Sequence, residues 1–349
     1  MCVYLKNLMM KTIAFVIPYF GRLSDYFQLW LNSCKDNPTV DWLLFTDDER
    51  TFDYPPNVHV TYTRIEKIKS RLDSCFGSTV NLDYPYKLCD FKPFYGTLFH
   101  EELKGYDFWG YCDIDVIWGN FRKFVTDDLL EKYDRLFEYG HCCLMRNVKR
   151  VNESYQMQCK GVVDYHKVLS YPINFYYDEQ EQMGKIFDKY FSDTYFKGIF
   201  CFDVDTMYKN FYPSSNMHHQ RKSPCVFKKT SKGLWALWYE GDKILEEEFF
   251  YAHFQKRKMT VQLPMSSENF LIVPNKFLPY VSVTTENYKK LLARNILYWY
   301  PIKSTLLYII DSIFDCSSRK MYFRGRFKRF FDKLFLRNKK QWYKDLYSE

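Results

Sequence analysis

Apolar positions in the first hundred residues come in short continuous runs, and helix-spaced stripes separate them. Residues 12–19 (Thr-Ile-Ala-Phe-Val-Ile-Pro-Tyr) are apolar almost throughout, the pattern of a strand covered on both faces. The turn Tyr19-Phe20-Gly21-Arg22 leads to Ser24 or Asp25 as an N-cap, and Phe27, Leu31 and Cys34 then recur at helical spacing, predicting a helix through about Ser33. Asp41 to Thr46 is a second apolar strand and ends in Asp47-Asp48. Val58 to Tyr62 is a third, and Ile65, Ile68 and Leu72 mark one face of a second helix. Strand and helix alternate as they do in α/β folds, where a mostly parallel sheet binds ligands in the loop after its first strand.

Leu88, Phe91, Tyr95, Leu98 and Phe99 form the next apolar stripe, in which Pro93 either kinks the helix or starts one. Lys87 and Asp90 share a face away from Phe91, either as a solvated pair or turned toward a ligand. The aromatic run Tyr106 to Cys112 has strand character and leads into Asp113-Ile114-Asp115, followed by Val116-Ile117-Trp118-Gly119. A helix is expected from Thr126 to Phe137, a strand at Cys142 to Met145, and a helix from about Gln180 to Phe191. Residues 147–235 carry little periodicity, and Ser214 to Gly233 has the composition of a mobile loop over a site. His253 lies in the aromatic strand that precedes Lys256-Arg257-Lys258.

Composition narrows the class. Of 349 residues, 47% are hydrophobic and 20% aromatic, ample for one large domain with an appendage. No apolar run reaches the roughly 18–20 residues that span a bilayer. Ile13 to Ile17 is too short for a signal sequence and meets Pro18. The eleven cysteines form no C-x-x-C pair, which favours reduced thiols and a cytoplasmic setting.

The chemistry centres on Asp113 and Asp115. Two carboxylates one residue apart at a strand end are costly unless something neutralises them, and a divalent cation would. A second triplet, Asp203-Val204-Asp205, also follows an apolar run. Its simpler reading is a solvated turn with Asp205 as a cap. His253 could complete a carboxylate site for a borderline ion such as Mn²⁺, with the lysines after it on a diphosphate. A haloacid-dehalogenase-type phosphatase, with its aspartate nucleophile in D-x-D-x-[TV], is a rival. However, the fifth positions here are Ile117 and Met207, and neither triplet lies on the first strand.

The order Ile-Pro-Tyr-Phe-Gly, Leu-Phe-Thr-Asp, Lys-Leu-Cys-Asp-Phe-Lys-Pro, Gly-Tyr-Cys-Asp-Ile-Asp and His-Phe-Gln-Lys-Arg, over residues 11–260, resembles GT-A-type nucleotide-sugar glycosyltransferases. The closest likeness is to bacterial members associated with surface-polysaccharide (capsule-type) synthesis. The resemblance implies a GT-A-like mixed, mostly parallel sheet flanked by helices. It implies Mn²⁺ or Mg²⁺ on Asp113, Asp115 and His253, and a nucleotide-sugar donor, with a uridine diphosphate sugar expected. Pro18, Tyr19, Phe20, Asp47, Lys87, Asp90, Lys92, Asp113 and Lys256 would contact that donor, and the acceptor would be a saccharide or a lipid-linked sugar. Related families often continue after the histidine as Gly-x-x-Lys-Pro-Trp, whereas this chain reads Gln255-Lys256-Arg257-Lys258-Met259. Asp178 and Glu179 are the candidates for acceptor-side acid–base work; alternatively, they supply negative charge to a helix N-terminus. A non-catalytic scaffold of a polysaccharide assembly is the alternative from another class.

The catalytic domain is expected over residues 11–280, with a helical extension over 281–349. Residues 319–349 hold 11 Lys and Arg against 3 Asp and Glu, so the excess of +8 lies in this tail. Phe323, Phe327, Phe330 and Leu334 interleave with the basic residues at helical spacing. This suits an amphipathic helix on an anionic membrane, each basic residue adding up to ~1 kcal/mol. No nucleic-acid recognition motif accompanies the charge. The alternative is a helix docked on the catalytic domain with a solvated basic side; the protein is expected in the cytoplasm, and on the membrane reading at the inner face of the plasma membrane. In flotation with anionic liposomes, the full chain should rise with the vesicles and a chain ending at residue 318 should not; equal flotation of both would remove the membrane role.

Overall fold

The structure, a computed structural model, describes residues 10–77, 80–255 and 257–293. Its strands in chain order are β1 (Ile13–Tyr19), β2 (Asp41–Thr46), β3 (Val58–Tyr62), β4 (Phe108–Cys112), β5 (Val116–Trp118), β6 (Arg135–Tyr139), β7 (Cys142–Arg146) and β8 (Tyr195–Phe196). They continue as β9 (Phe202–Asp203), β10 (Val226–Thr230), β11 (Gly233–Glu240), β12 (Lys243–Phe249), β13 (Tyr251–His253), β14 (Thr260–Val261), β15 (Phe270–Val273) and β16 (Lys276–Pro279). The fold is mixed α/β, with a mostly parallel first half flanked by helices.

The main sheet runs β3-β2-β1-β4-β7-β6-β8. β1 pairs in parallel with β2 and β4, and β4 pairs antiparallel with β7. The central strands are buried on both faces, which is why their sequences are continuous apolar runs rather than alternating ones. Helices α1 (Phe27–Lys35) and α2 (Ile65–Phe76) cover opposite faces, with Phe27 and Trp30 in one apolar cluster and Ile68 and Leu72 in the other. A Cβ on Gly110, in the middle of β4, would lie 2.4 Å from the Cys143 carbonyl oxygen, so the close approach of β7 requires glycine there.

A small sheet, β5-β13-β9, joins the main sheet to a mostly antiparallel one ordered β12-β11-β10-β15-β16-β14, in which β14 and β16 pair in parallel. The described start of the C-terminal extension belongs to this second body. Tyr288 is buried, and its hydroxyl donates to the carbonyls of Pro224 and Leu237. Residues 294–349, including the basic tail, lie outside the described residues. No described helix is long and apolar enough to cross a membrane.

Several expectations change. The helix expected over 126–137 ends at Lys132, capped by Thr126, because residues 135–139 pair with β7 instead. The α1 helix starts at Phe27 without a side-chain cap, and Asp25 pairs with Arg22. Val226–Thr230, expected within a mobile loop, is a strand of the antiparallel sheet. Pro93 breaks the stripe at residues 88–99 into short helical turns.

Lys87 and Asp90 are corrected most clearly. Both are fully buried, 2.8 Å apart, and face neither a ligand nor solvent. Lys87 also donates to the Ile173 carbonyl at 2.6 Å, and Asp90 accepts the backbone N–H groups of Phe175 (2.8 Å) and Tyr177 (3.1 Å). The pair pins the segment that presents Asp178. Asp90→Ala would strand the Lys87 charge and release that segment, so denaturant unfolding should show a loss of about 3–5 kcal/mol.

Candidate cation site at the junction of two cavities

Asp113 and Asp115 lie where the chain leaves β4 and turns into β5. This stretch is fixed from behind by the Asp113 N–H, which donates to the His141 carbonyl at 3.0 Å. β13 runs antiparallel to β5 and parallel to β9, which puts His253 in register with Val116 on one side and Asp203 on the other. The imidazole therefore reaches both acidic triplets. Its Nε2 is 3.3 Å from Asp115 Oδ1 and 4.0 Å from Asp113 Oδ2, and its Nδ1 is 2.8 Å from Asp203 Oδ1. One ligand atom each from Asp113, Asp115 and His253 falls within a 4.8 Å cluster. Two hard carboxylates and one imidazole suit Mn²⁺ and, with fewer nitrogens used, Mg²⁺. The residues present therefore fit a divalent cation.

Lys92 stands on the other side of Asp113. Its Nζ donates to Asp113 Oδ1 (2.8 Å) and to the Gly140 carbonyl (2.7 Å), and lies 3.2 Å from Asp178 Oδ2. Burial works against the ammonium, but Asp113 and Asp178 hold its pKa well above the usual lysine value. Burial also pushes Asp178 up to about 8, with Lys92 opposing and Glu179 adding to the rise. Burial raises Glu179 as well. Both carboxylates crowd Gly140, where an added Cβ would sit 2.6 Å from an oxygen of each.

Two cavities meet at this cluster. The larger, about 650 Å³, is lined by Pro18, Tyr19 and Phe20 from the end of β1 and by Arg257 and Lys258. The smaller, about 270 Å³, is lined by His141, Tyr176, Asp178, Glu179 and Gln255. Lys92, Asp113 and Asp115 line both. Tyr176 (φ 55°) and Gln255 (φ 48°) hold left-handed backbone at the rim of the smaller cavity, a conformation that non-glycine residues adopt at a cost.

The structure thus brings Pro18, Tyr19, Phe20, Lys92, Asp113, Asp115, Asp178, Glu179 and His253 to one place. Asp47 stands apart at the exposed end of β2, where it accepts the Gly21 N–H at 2.7 Å and lines a separate open groove. Lys87 and Asp90 line neither cavity, and Lys256 lies outside the described residues. Sequence reasoning passed over Asp203, which is buried and bonded to His253 rather than solvated. Its neighbour Asp205 does cap a turn, accepting the Met207 N–H. His141 was also missed, and nothing in its local sequence marks it.

The class defined so far is an α/β protein with a carboxylate–imidazole cluster, a candidate cation site, between two cavities. The chain belongs to DUF6625, a family of unknown function whose pattern matches residues 15–281. No curated protein matches it by sequence. Solved structures similar to it include apo xyloside xylosyltransferase 1 from mouse, at 7% identity and a TM-score of 0.33 over 56% of this chain and 88% of that one. The galactosyltransferase LgtC, in complex with donor and acceptor sugar analogues, matches at 11% and 0.28 over 55% and 75%. The glycosyltransferase GlyE of Streptococcus pneumoniae TIGR4 matches at 13% and 0.26 over 54% and 45%. A functional reading has to stand on the site.

For His253, burial favours the neutral ring, but the charges and hydrogen bonds of Asp115 and Asp203 outweigh it and raise the pKa from 6.5 to about 10. A folded pKa above the unfolded one means a stabilising contribution that is complete below the unfolded value and lost as pH rises through the folded one. In metal-free protein, wild type should therefore exceed His253→Gln in unfolding free energy most at pH about 6, and the gap should close by pH about 10.5. A gap independent of pH would refute the charge pairing.

Proposed function

We propose that this protein is a metal-dependent glycosyltransferase that moves a sugar from a nucleoside-diphosphate donor, with a uridine diphosphate sugar as the first candidate. The observation that carries this reading is the convergence of Asp113, Asp115 and His253 at the wall between the two cavities. A donor of this kind has a flat nucleoside, a doubly charged diphosphate and a hydroxylated ring, in that order. The larger cavity, with Tyr19 and Phe20 on its wall, suits the nucleoside. The smaller one suits the ring, and the acidic cluster between them suits the diphosphate with its counter-ion.

Asp113, Asp115 and His253 would hold the cation, and a divalent ion bound there supplies Lewis-acid stabilisation of the diphosphate leaving group. The chain's own residues do the rest. Lys92 balances Asp113, so the loop keeps its shape before any ligand arrives. Arg257 and Lys258 bring positive charge to the larger cavity, where phosphate oxygens would gain from it. Glu179, half-buried beside Gly140, is the acceptor-side candidate for taking a proton. Asp178 pairs with Lys92 and orients hydroxyl groups.

The acceptor is read as a saccharide or a lipid-linked sugar of bacterial surface-polysaccharide synthesis. The basic tail would keep the enzyme at the cytoplasmic membrane face where such acceptors lie. Isothermal titration with a panel of uridine diphosphate sugars, with and without Mn²⁺, tests the core of the reading. Binding should be strengthened by Mn²⁺, and Asp115→Ala should bring it down to the metal-free level. A chain that binds no nucleotide sugar under either condition is a scaffold rather than an enzyme.

A further inference from the structure

We propose that Asp203 is a positioning residue that commits the Nε2 of His253 to the divalent cation. The inference rests on the metal site of the proposed function and adds a member that touches no ligand. His253 is shared by two clusters able to hold a metal, one with Asp113 and Asp115, the other with Asp203 and His141. A neutral imidazole has a single ring lone pair, so it can serve only one of them.

The hydrogen bonding decides which. Asp203 Oδ1 is 2.8 Å from His253 Nδ1 and also accepts from Gln255 Nε2 at 2.6 Å. One oxygen with two donors is occupied as an acceptor, and the proton it takes from the ring is the one on Nδ1. A divalent cation that binds the ring displaces its other proton, so the lone pair it meets lies on Nε2, the nitrogen nearer Asp115 and Asp113. Access agrees with this assignment. The side chains of Asp113 and Asp115 are 36% and 18% exposed and line both cavities, whereas that of Asp203 is 10% exposed. The His141 ring packs on His253 with centroids 4.2 Å apart. A carboxylate behind a ligating histidine fixes the tautomer and raises the basicity of the ligating nitrogen. The second acidic triplet thereby acquires a role: Asp203, in register beside His253, orients it, and Asp205 shapes the turn that follows.

The test uses Mn²⁺ alone and the full chain, with two readouts. Electron paramagnetic resonance of free Mn²⁺ gives the affinity, and electron spin-echo modulation detects an imidazole ¹⁴N on the bound ion. Wild type should bind with a ¹⁴N signal. Asp203→Ala should bind about 10- to 100-fold more weakly and lose that signal, while Asp113 and Asp115 still hold the ion. Asp203→Asn, which keeps an acceptor oxygen but not the charge, should keep the signal and lose affinity toward the lower end of that range. His141→Gln should leave affinity within about twofold, since His141 is outside the chosen cluster. If Asp203→Ala fails to fold, Asp203→Asn decides, and wild-type affinity in that variant overturns the proposal. Wild-type affinity and signal in Asp203→Ala would also overturn it while leaving the metal site intact. Loss of Mn²⁺ in His141→Gln would assign the ion to the other cluster. A wild type that binds no Mn²⁺, or binding indifferent to Asp115→Ala, would remove the metal site itself.

Discussion

Acidic side chains that repel one another and resist burial are gathered at the end of β4, and two cations hold them there. Lys92 stands between Asp113 and Asp178, and His253 stands between Asp115 and Asp203. Each buried carboxylate alone would be expensive, and removing a partner costs more than the pair contributes. The arrangement therefore constrains the chain around it. β13 has to lie between β5 and β9, Gly140 has to lack a side chain, and the segment before Asp178 has to be tied down by Asp90.

This charge balance also explains why the site faces two ways. Asp113 and Asp115 keep some exposure because their compensating groups approach from behind and from the side, and both residues line the two cavities. A cation arriving there enters a site whose imidazole and carboxylates are already positioned, and what it has to displace is the Nε2 proton of His253. Asp178 differs: it is almost wholly buried, and burial raises its pKa while the neighbouring Lys92 opposes the rise.

The readable part of the fold was its first half. The apolar runs of β1 and β2 and the stripes of α1 and α2 were plain because those two strands are buried on both faces and the helices pack on the sheet, whereas β3 is an edge strand with only Val58 buried. The second sheet was obscure because β10 and β12 carry runs of charged residues and its register is set by distant partners, β10 pairing with both β11 and β15. Arg135–Tyr139 misled for a similar reason. Its apolar spacing suits a helix, and only pairing with β7 makes it a strand. Lys87 and Asp90 share a helical face as expected, but no local signal told that a loop 85 to 87 positions on would bury them.

The sequence by itself determined the α/β alternation, the strand end that carries Asp113 and Asp115, and the aromatic strand that carries His253. All of these are local patterns of burial and charge. Only the tertiary structure decided that β13 lies between β5 and β9. That register turns Asp203 from a solvated acid into the partner of His253, and converts the two nitrogens of one ring into separate contacts with two acidic triplets. Strand pairing brings together residues far apart in the chain, so an imidazole's partners are fixed by which strands meet, and the spacing of residues within one strand does not reveal them.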